Sequence, residues 1–178
     1  MAVFVTADTH FNFESIVGYE GGYFHNIQER DEAIIQRYNE EVGKGDTCYF
    51  LGDFGFGSQN LMRSYLSRLN GTKILVAGNH DMHYPPGAWY SCGFQEISFH
   101  PIVVDEFLLS HRPFLQDCGA LFNLFGHVHN DPQYETFSEH GMCVCCCRHD
   151  FRPVPFARIR ANIVRSGILV PPSPEAQA

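Results

Sequence analysis

The sequence contains no run of consecutive Lys and Arg residues, and its formal net charge is −8 at pH 7. Broad capture of DNA, RNA or an anionic membrane requires a concentration of positive charge on the protein surface. We therefore expect no obligatory nucleic-acid partner and no membrane partner.

Long apolar runs are also missing. No stretch approaches the roughly 20 apolar residues of a membrane-spanning helix. The first residues also lack the pattern of a secretory signal, which is a basic region, then a long apolar run, then a cleavage site of small residues. The seven cysteines, an odd number, fit free thiols in a reducing compartment better than a disulfide framework. These absences predict a cytoplasmic protein.

The composition is that of a globular chain, with 44% hydrophobic and 14% aromatic residues among 178. A chain of this length normally folds around one core. We predict a single domain over residues 1–170, followed by a disordered Pro-rich tail over residues 171–178.

Strand and helix patterns alternate in the first half of the chain. Apolar runs at residues 2–7, 47–51 and 73–77 predict strands. Asn26 and Ser58 predict the starts of two helices that lie between these strands.

The second half shows mainly strand patterns. Residues 95–99, 102–110 and 121–125 predict strands, whereas Pro85-Pro86-Gly87 predicts a loop. Strands and helices that alternate in the first half, followed by strands in the second half, predict a layered α/β protein with at least one mixed sheet.

Five polar clusters follow or end apolar stretches. They are Asp8-Thr9-His10, Gly52-Asp53, Gly78-Asn79-His80-Asp81, Ser110-His111 and Gly126-His127-Val128-His129. Carboxylate, amide and imidazole donors are the mixture that suits paired Mn, Fe, Zn or similar divalent ions. A single Asp could cap a turn and a single His could be structural, but the ordered combination favours a metalloenzyme.

All five clusters occur in the order of the motifs of the calcineurin-like metallophosphoesterase superfamily, which run Asp-x-His, Gly-Asp, Gly-Asn-His-(Asp/Glu), a lone His and Gly-His-x-His. The chain resembles this superfamily over residues 8–129. The opening Asp-x-His-Phe and the later Arg152-Pro153 resemble compact bacterial or phage-type phosphoesterases. The resemblance implies a two-sheet mixed β-sandwich flanked by helices.

The resemblance also implies two divalent cations held by seven side chains. The first would take Asp8, His10 and His129, the second Asn79, His111 and His127, and Asp53 would bridge them. Manganese is favoured, with Fe, Zn, Ni, Co or Mg as the alternatives. A metal can lower the pKa of bound water from 15.7 to about 7, so water can serve as the nucleophile.

Three further residues receive roles beside the metals. The resemblance places His80 next to the substrate, where it can protonate a leaving alkoxide, and Asp81 is expected to orient it or else to cap a loop. Arg112 either contacts phosphate or pairs with a surface acid.

The aromatic residues beside the metal motifs have two possible roles. They could stack on a base, but packing in the core or in loops is the preferred reading. These residues are Phe11, Phe13, Phe54 and Phe56.

The expected substrate is a small phosphodiester, with cyclic nucleotides among the candidates. Phe54-Gly55 follows Gly52-Asp53 in place of the Asp-Arg-Gly of phosphoprotein phosphatases, which disfavours protein dephosphorylation. A metal-dependent nuclease and a phosphomonoesterase are the enzymatic alternatives, and a protein-interaction scaffold of the same fold is the non-enzymatic one. The complete motif set, including His80, favours the enzyme.

A cluster of cysteines stands apart from these motifs and comprises Cys143, Cys145, Cys146 and Cys147. Its spacing is poor for four tetrahedral metal ligands. We therefore favour a cysteine-rich strand that partly packs inside over a structural metal or redox site.

Overall fold

The computed structural model describes residues 1–114 and 121–168. The strands within these ranges are β1 (Val3–Thr6), β2 (Thr47–Phe50), β3 (Thr72–Val76), β4 (Glu96–Ser98), β5 (Ile102–Val104), β6 (Phe107–Ser110), β7 (Phe122–Phe125), β8 (Gly141–Cys143) and β9 (Val154–Pro155). The helices are α1 (Ile16–Tyr19), α2 (Ile27–Glu41), α3 (Gln59–Ser67), α4 (Pro86–Cys92) and α5 (Phe156–Arg165).

The strands form two sheets. The first has the order β4-β3-β2-β1-β9, with β1 to β4 parallel and β9 antiparallel to β1. The second has the order β5-β6-β7-β8, with β5 antiparallel to β6 and the other neighbours parallel. Both sheets are therefore mixed, as predicted.

The first sheet is covered by apolar contacts on both faces. Along β2, Cys48 and Phe50 pack in the cluster that contains Tyr38 of α2 and Trp89 of α4. The alternate residue Tyr49 packs against the cluster between the sheets, as the two-residue period of a strand requires.

The cluster between the sheets joins side chains of both. Val5 and Val76 of the first sheet pack there with Leu109 and Leu124 of the second, and Ile159 of α5 joins them. The predicted two-sheet sandwich flanked by helices is confirmed.

Both predicted helix starts are confirmed by their caps. The side chain of Asn26 accepts a hydrogen bond from the backbone N–H of Glu29 at 2.8 Å. The hydroxyl of Ser58 accepts one from the backbone N–H of Leu61 at 3.2 Å. Each bond satisfies a donor that the first helical turn leaves unpaired.

Two local predictions are wrong. Residues 102–110 form a hairpin of β5 and β6 in place of one strand, and Asp105 makes the turn with a φ of 52°. The predicted loop at Pro85-Pro86-Gly87 contains the start of α4, because proline lacks only an N–H that the first helical position leaves unpaired. The predicted tail, residues 171–178, lies outside the described residues.

The loops after the parallel strands converge at one edge of the sandwich. Ala7, just after β1, donates to the Val144 carbonyl at 3.0 Å and accepts from the Cys146 N–H at 2.9 Å. These bonds join the ends of β1 and β8 across the two sheets. None of the helices in the ranges described is both long enough and apolar enough to cross a membrane.

Candidate metal centre

The first group of predicted ligands lies after β1 and β7. The Nε2 atoms of His10 and His129 are 3.1 Å apart. The Oδ1 atom of Asp8 is 3.9 Å from the first of these nitrogens and 3.6 Å from the second. The structure therefore brings all three donors to one point.

The second group lies after β3, β6 and β7. The Nε2 atom of His111 is 3.0 Å from Oδ1 of Asn79 and 3.1 Å from Nδ1 of His127. Asp53, after β2, lies between the groups, with Oδ2 3.8 Å from Nε2 of His10 and 3.5 Å from Nε2 of His111. All seven predicted ligands thus face a common centre.

The donor atoms of this centre fit cations. The Nδ1 atom of His111 lies 2.8 Å from the Leu51 carbonyl oxygen, which can only accept, so Nδ1 carries the proton and Nε2 a lone pair. That lone pair faces the amide oxygen of Asn79, another acceptor. In the first group, Oδ1 of Asp8 is buried without a hydrogen-bond partner among the described residues. A cation in each group would satisfy these atoms.

Burial keeps the imidazoles in the form that binds metal. It lowers the pKa of His10 to about 2 and that of His129 to about 4. Burial also lowers the pKa values of His111 and His127 from the usual 6.5. The four rings are therefore neutral at neutral pH, and metal binding need not displace a proton from them.

The backbone at the centre is strained. Five of the seven predicted ligands have positive φ angles, a conformation that costs free energy for residues other than glycine. They are Asp8 (57°), His10 (42°), Asp53 (53°), His127 (72°) and His129 (44°). Such strain concentrates at functional sites and is held there by the surrounding contacts.

Two motif glycines allow the loops to approach one another. A Cβ atom on Gly78 would lie 2.2 Å from Oδ1 of Asp53, and one on Gly126 would lie 2.5 Å from Oδ2 of Asp8. Any larger residue would displace a carboxylate of the centre, which gives these motif positions a steric reason for glycine.

Of the two roles expected for Asp81, the structure supports the loop cap. Its Oδ2 accepts from the backbone N–H groups of Asp53 at 2.7 Å and Gly78 at 2.8 Å, and its Oδ1 accepts from Phe54 at 3.1 Å. The carboxylate is thus occupied by backbone donors and does not orient the ring of His80. The expectation that Asp81 orients His80 is wrong: Asp81 ties the β2 and β3 loops together.

His80 lies at the edge of the centre, as a residue beside substrate must. Its side chain is 38% exposed, and Nε2 is 3.9 Å from Oδ2 of Asp53. Its backbone N–H donates to Oδ1 of the same carboxylate at 2.9 Å. The ring also packs edge-on against Phe56, with centroids 5.0 Å apart.

The remaining predicted residues divide between the surface and the core. Arg112 is exposed and lines a cleft beside His111. Phe11 and Phe54 are fully buried in the core, as the preferred reading states, whereas Phe13 and Phe56 stack with each other beside the ring of His10.

The cysteines pack inside, as predicted, but the strand β8 ends at Cys143 and the other three cysteines follow it. Cys145 also touches the centre. Cys143, Cys145 and Cys146 are buried free thiols. The thiol of Cys145 donates to Oδ2 of Asp8 at 3.0 Å, and Sγ of Cys143 lies 3.3 Å from that of Cys145. No spacing in the sequence indicates this contact.

The sequence motifs did not predict a buried ion pair that lies beneath Asp8-Thr9-His10. Arg30 is fully buried in α2 and binds both carboxylate oxygens of Glu20, at 2.6 and 2.7 Å. Its third donor group reaches the carbonyl of Thr9, between two predicted ligands, at 2.6 Å. The available signal was Arg30 itself, a charged residue in the first turns of the helix that Asn26 predicts.

Two curated relatives match part of the chain. An uncharacterized protein of Methanocaldococcus jannaschii is 35% identical over 128 residues, which cover 71% of this chain and 65% of that protein. The gene 66 protein of Mycobacterium phage L5 is 30% identical over 113 residues, 52% of this chain and 54% of that protein. The chain therefore spans less than two thirds of the length of either relative.

One solved structure shows the same fold. A protein of unknown function from Aquifex aeolicus matches with a TM-score of 0.70 and 22% identity, over 91% of this chain and 99% of that one. The Pseudomonas putida nuclease MPE matches with a TM-score of 0.48 and 25% identity, over 71% and 61% of the two chains.

The family comparison agrees with the motifs and with the fold. The model of the calcineurin-like phosphoesterases matches residues 1–143, a range that contains every predicted ligand. This chain belongs to the calcineurin-like phosphoesterase family.

Proposed function

We propose that this protein is a two-metal phosphodiesterase that acts on small phosphodiesters, with cyclic nucleotides among the candidates. Family membership supports metal-dependent hydrolysis of phosphoesters. The preference for diesters rests on one observation, which is a pair of clefts that meet at the metal centre.

The clefts reach the centre from its two halves. The first cleft, of about 350 Å³, reaches it at His10 and His129. The second cleft, of about 430 Å³, reaches it at His111, and Asn79 lines both. A phosphodiester carries two substituents on one phosphorus, so a phosphate at the centre can direct one into each cleft. A phosphomonoester would use only one of them.

The chemistry divides between the cations and the protein. Divalent cations, Mn being favoured, supply Lewis acidity and make water acidic enough to provide a nucleophile near neutral pH. The seven predicted ligands would hold the cations, and Asp81 fixes the loops that carry Asp53 and Asn79. His80 can hold a proton at Nε2 and pass it to the departing ester oxygen, because its ring lines the first cleft.

A substrate screen with purified protein tests the proposal. After its metal content is measured, the protein is supplied with Mn and offered small phosphodiesters, cyclic nucleotides, phosphomonoesters and oligonucleotides. We expect hydrolysis of small diesters, with loss of activity in Asp53→Asn and slowed turnover in His80→Gln.

Other outcomes of the screen point to the alternatives. Activity confined to phosphomonoesters would indicate a phosphomonoesterase, and activity confined to oligonucleotides a nuclease. If the metal-loaded protein hydrolysed none of these compounds, the scaffold reading would stand. The cytoplasmic location stays a prediction.

A further inference from the structure

We infer that the first cleft binds a planar aromatic ring of nucleobase type on the alcohol that leaves the phosphate, and that Tyr19 is its main contact. The inference rests on the proposed phosphodiesterase function and names a substrate class for it.

Tyr19 presents an aromatic ring at the metal centre. It is the last residue of α1 and is 65% exposed. Its ring meets that of His129 edge-on, with centroids 5.4 Å apart and planes at 82°. The ring is thus supported by a predicted metal ligand and still leaves surface free for a second ring to stack.

Other residues of the first cleft suit the same occupant. Phe13 lines the cleft and stacks on Phe56, with centroids 4.5 Å apart. Ser15, at the start of α1, is exposed and makes no side-chain capping bond, so its hydroxyl can bond a polar edge of the ring. Among the described residues no Lys or Arg lines this cleft, which favours stacking over ion pairing.

The position of His80 decides which substituent enters the first cleft. His80 lines the first cleft and is absent from the lining of the second, within the part of the chain that the structure describes. If His80 protonates the departing oxygen, the alcohol that leaves lies against Tyr19. The ring is therefore on the departing alcohol, and the retained substituent extends toward Arg112.

Two matched diesters test this assignment. Adenosine 5′-(methyl phosphate) and glycerol 3-(methyl phosphate) share methyl phosphate and differ in the second alcohol. We expect the wild-type protein with Mn to prefer the adenosine ester, releasing adenosine and methyl phosphate. The quantity to measure is the ratio of the two kcat/KM values.

Three variants test whether the ratio of the two kcat/KM values depends on the ring of Tyr19. In Tyr19→Leu the ratio should fall roughly tenfold, within the range of one base–aromatic stack. In Tyr19→Phe it should be retained, because the face of the ring is kept. Tyr23→Leu is the matched control: Tyr23 is 79% exposed but packs toward Phe151, outside the cleft. An unchanged ratio in Tyr19→Leu, or release of methanol in place of adenosine, would overturn the inference.

A binding measurement separates this inference from the proposed function. Saturation-transfer NMR of adenosine with the metal-free protein should show contact with the adenine protons in the wild type and in Tyr23→Leu, and loss of that contact in Tyr19→Leu. If neither diester is hydrolysed, the proposed function fails. The aromatic subsite fails separately if adenosine makes no contact, or keeps its contact in Tyr19→Leu.

Discussion

The thiol of Cys145 donates a hydrogen bond to the carboxylate of Asp8, with 3.0 Å between Sγ and Oδ2. Burial raises the pKa of this thiol well above its usual value, so the thiol keeps its proton and remains a donor. The backbone N–H of His127 donates to the same oxygen at 2.8 Å. Together they leave Oδ1 of Asp8 directed at the centre.

We predict that Cys145→Ala weakens metal binding. Partners that orient a metal ligand typically contribute 10–100-fold to metal affinity, so a loss of roughly tenfold is expected. Isothermal titration with Mn measures it. Cys92→Ala is a matched control, because Cys92 is also buried but bonds to the Gln59 carbonyl away from the centre. Equal affinity in the two variants would contradict the prediction.

The contact between Cys145 and Asp8 shows where sequence reasoning stops. Asp8 was predictable because it ends a recognisable apolar strand within a known motif. Its partner lies 137 residues away, and only the pairing of the ends of β1 and β8 brings the two together. Such a contact depends on tertiary structure, which no local pattern encodes.

Local patterns also failed where one residue type serves two structures. Pro86 suits a loop and equally the first position of α4, and residues 102–110 have strand character on both sides of the turn at Asp105. An orienting role was expected for Asp81 because His80 precedes it, although its carboxylate accepts from backbone donors of the loop after β2 and of its own loop after β3. The fold class and the convergence of the seven predicted ligands could be predicted because ordered motifs carry them.

A second prediction concerns the buried pair of Arg30 and Glu20. Arg30→Met should lower the free energy of unfolding by about 3–5 kcal/mol, because it leaves the carboxylate of Glu20 buried and unpaired. The double variant Arg30→Met/Glu20→Met should recover part of this loss. Urea unfolding measures both. A double variant less stable than Arg30→Met would contradict the explanation.

The pH dependence of stability should carry a contribution from Asp31. Burial raises the pKa of this carboxyl to about 6, although it accepts hydrogen bonds from the Tyr65 hydroxyl and the Asn12 N–H. The unfolded value is near 3.9, so between about pH 4 and 6 the folded state binds the proton more tightly. Stability from this group therefore falls as the pH rises through that window.

Asp31→Asn tests this sign because it removes the titrating group and keeps an oxygen acceptor. The free energy of unfolding of the variant should exceed that of the wild type at pH 7.5, and the two values should be nearly equal at pH 4.5. Urea unfolding at the two pH values gives the comparison. A difference between the proteins that is the same at both values would show that Asp31 does not titrate as described.

His80→Gln should separate turnover from metal binding. General acid assistance commonly contributes about 10²- to 10⁴-fold, so kcat for a diester with an alkyl leaving group should fall by that order. The loss should be smaller for a p-nitrophenyl ester, whose leaving group needs no proton. Metal content should equal that of the wild type, and a parallel loss of metal would assign His80 to ligation.

We propose that two cations in this centre make the protein a phosphodiesterase. The most direct measurement is hydrolysis of bis(p-nitrophenyl) phosphate by metal-free protein as Mn is added in known equivalents, at protein concentrations well above the dissociation constants. The two ligand groups joined by Asp53 predict activity that reaches its plateau at two equivalents per chain, and almost none in Asp53→Asn. A plateau at one equivalent, or activity that needs no metal, would contradict a two-metal centre.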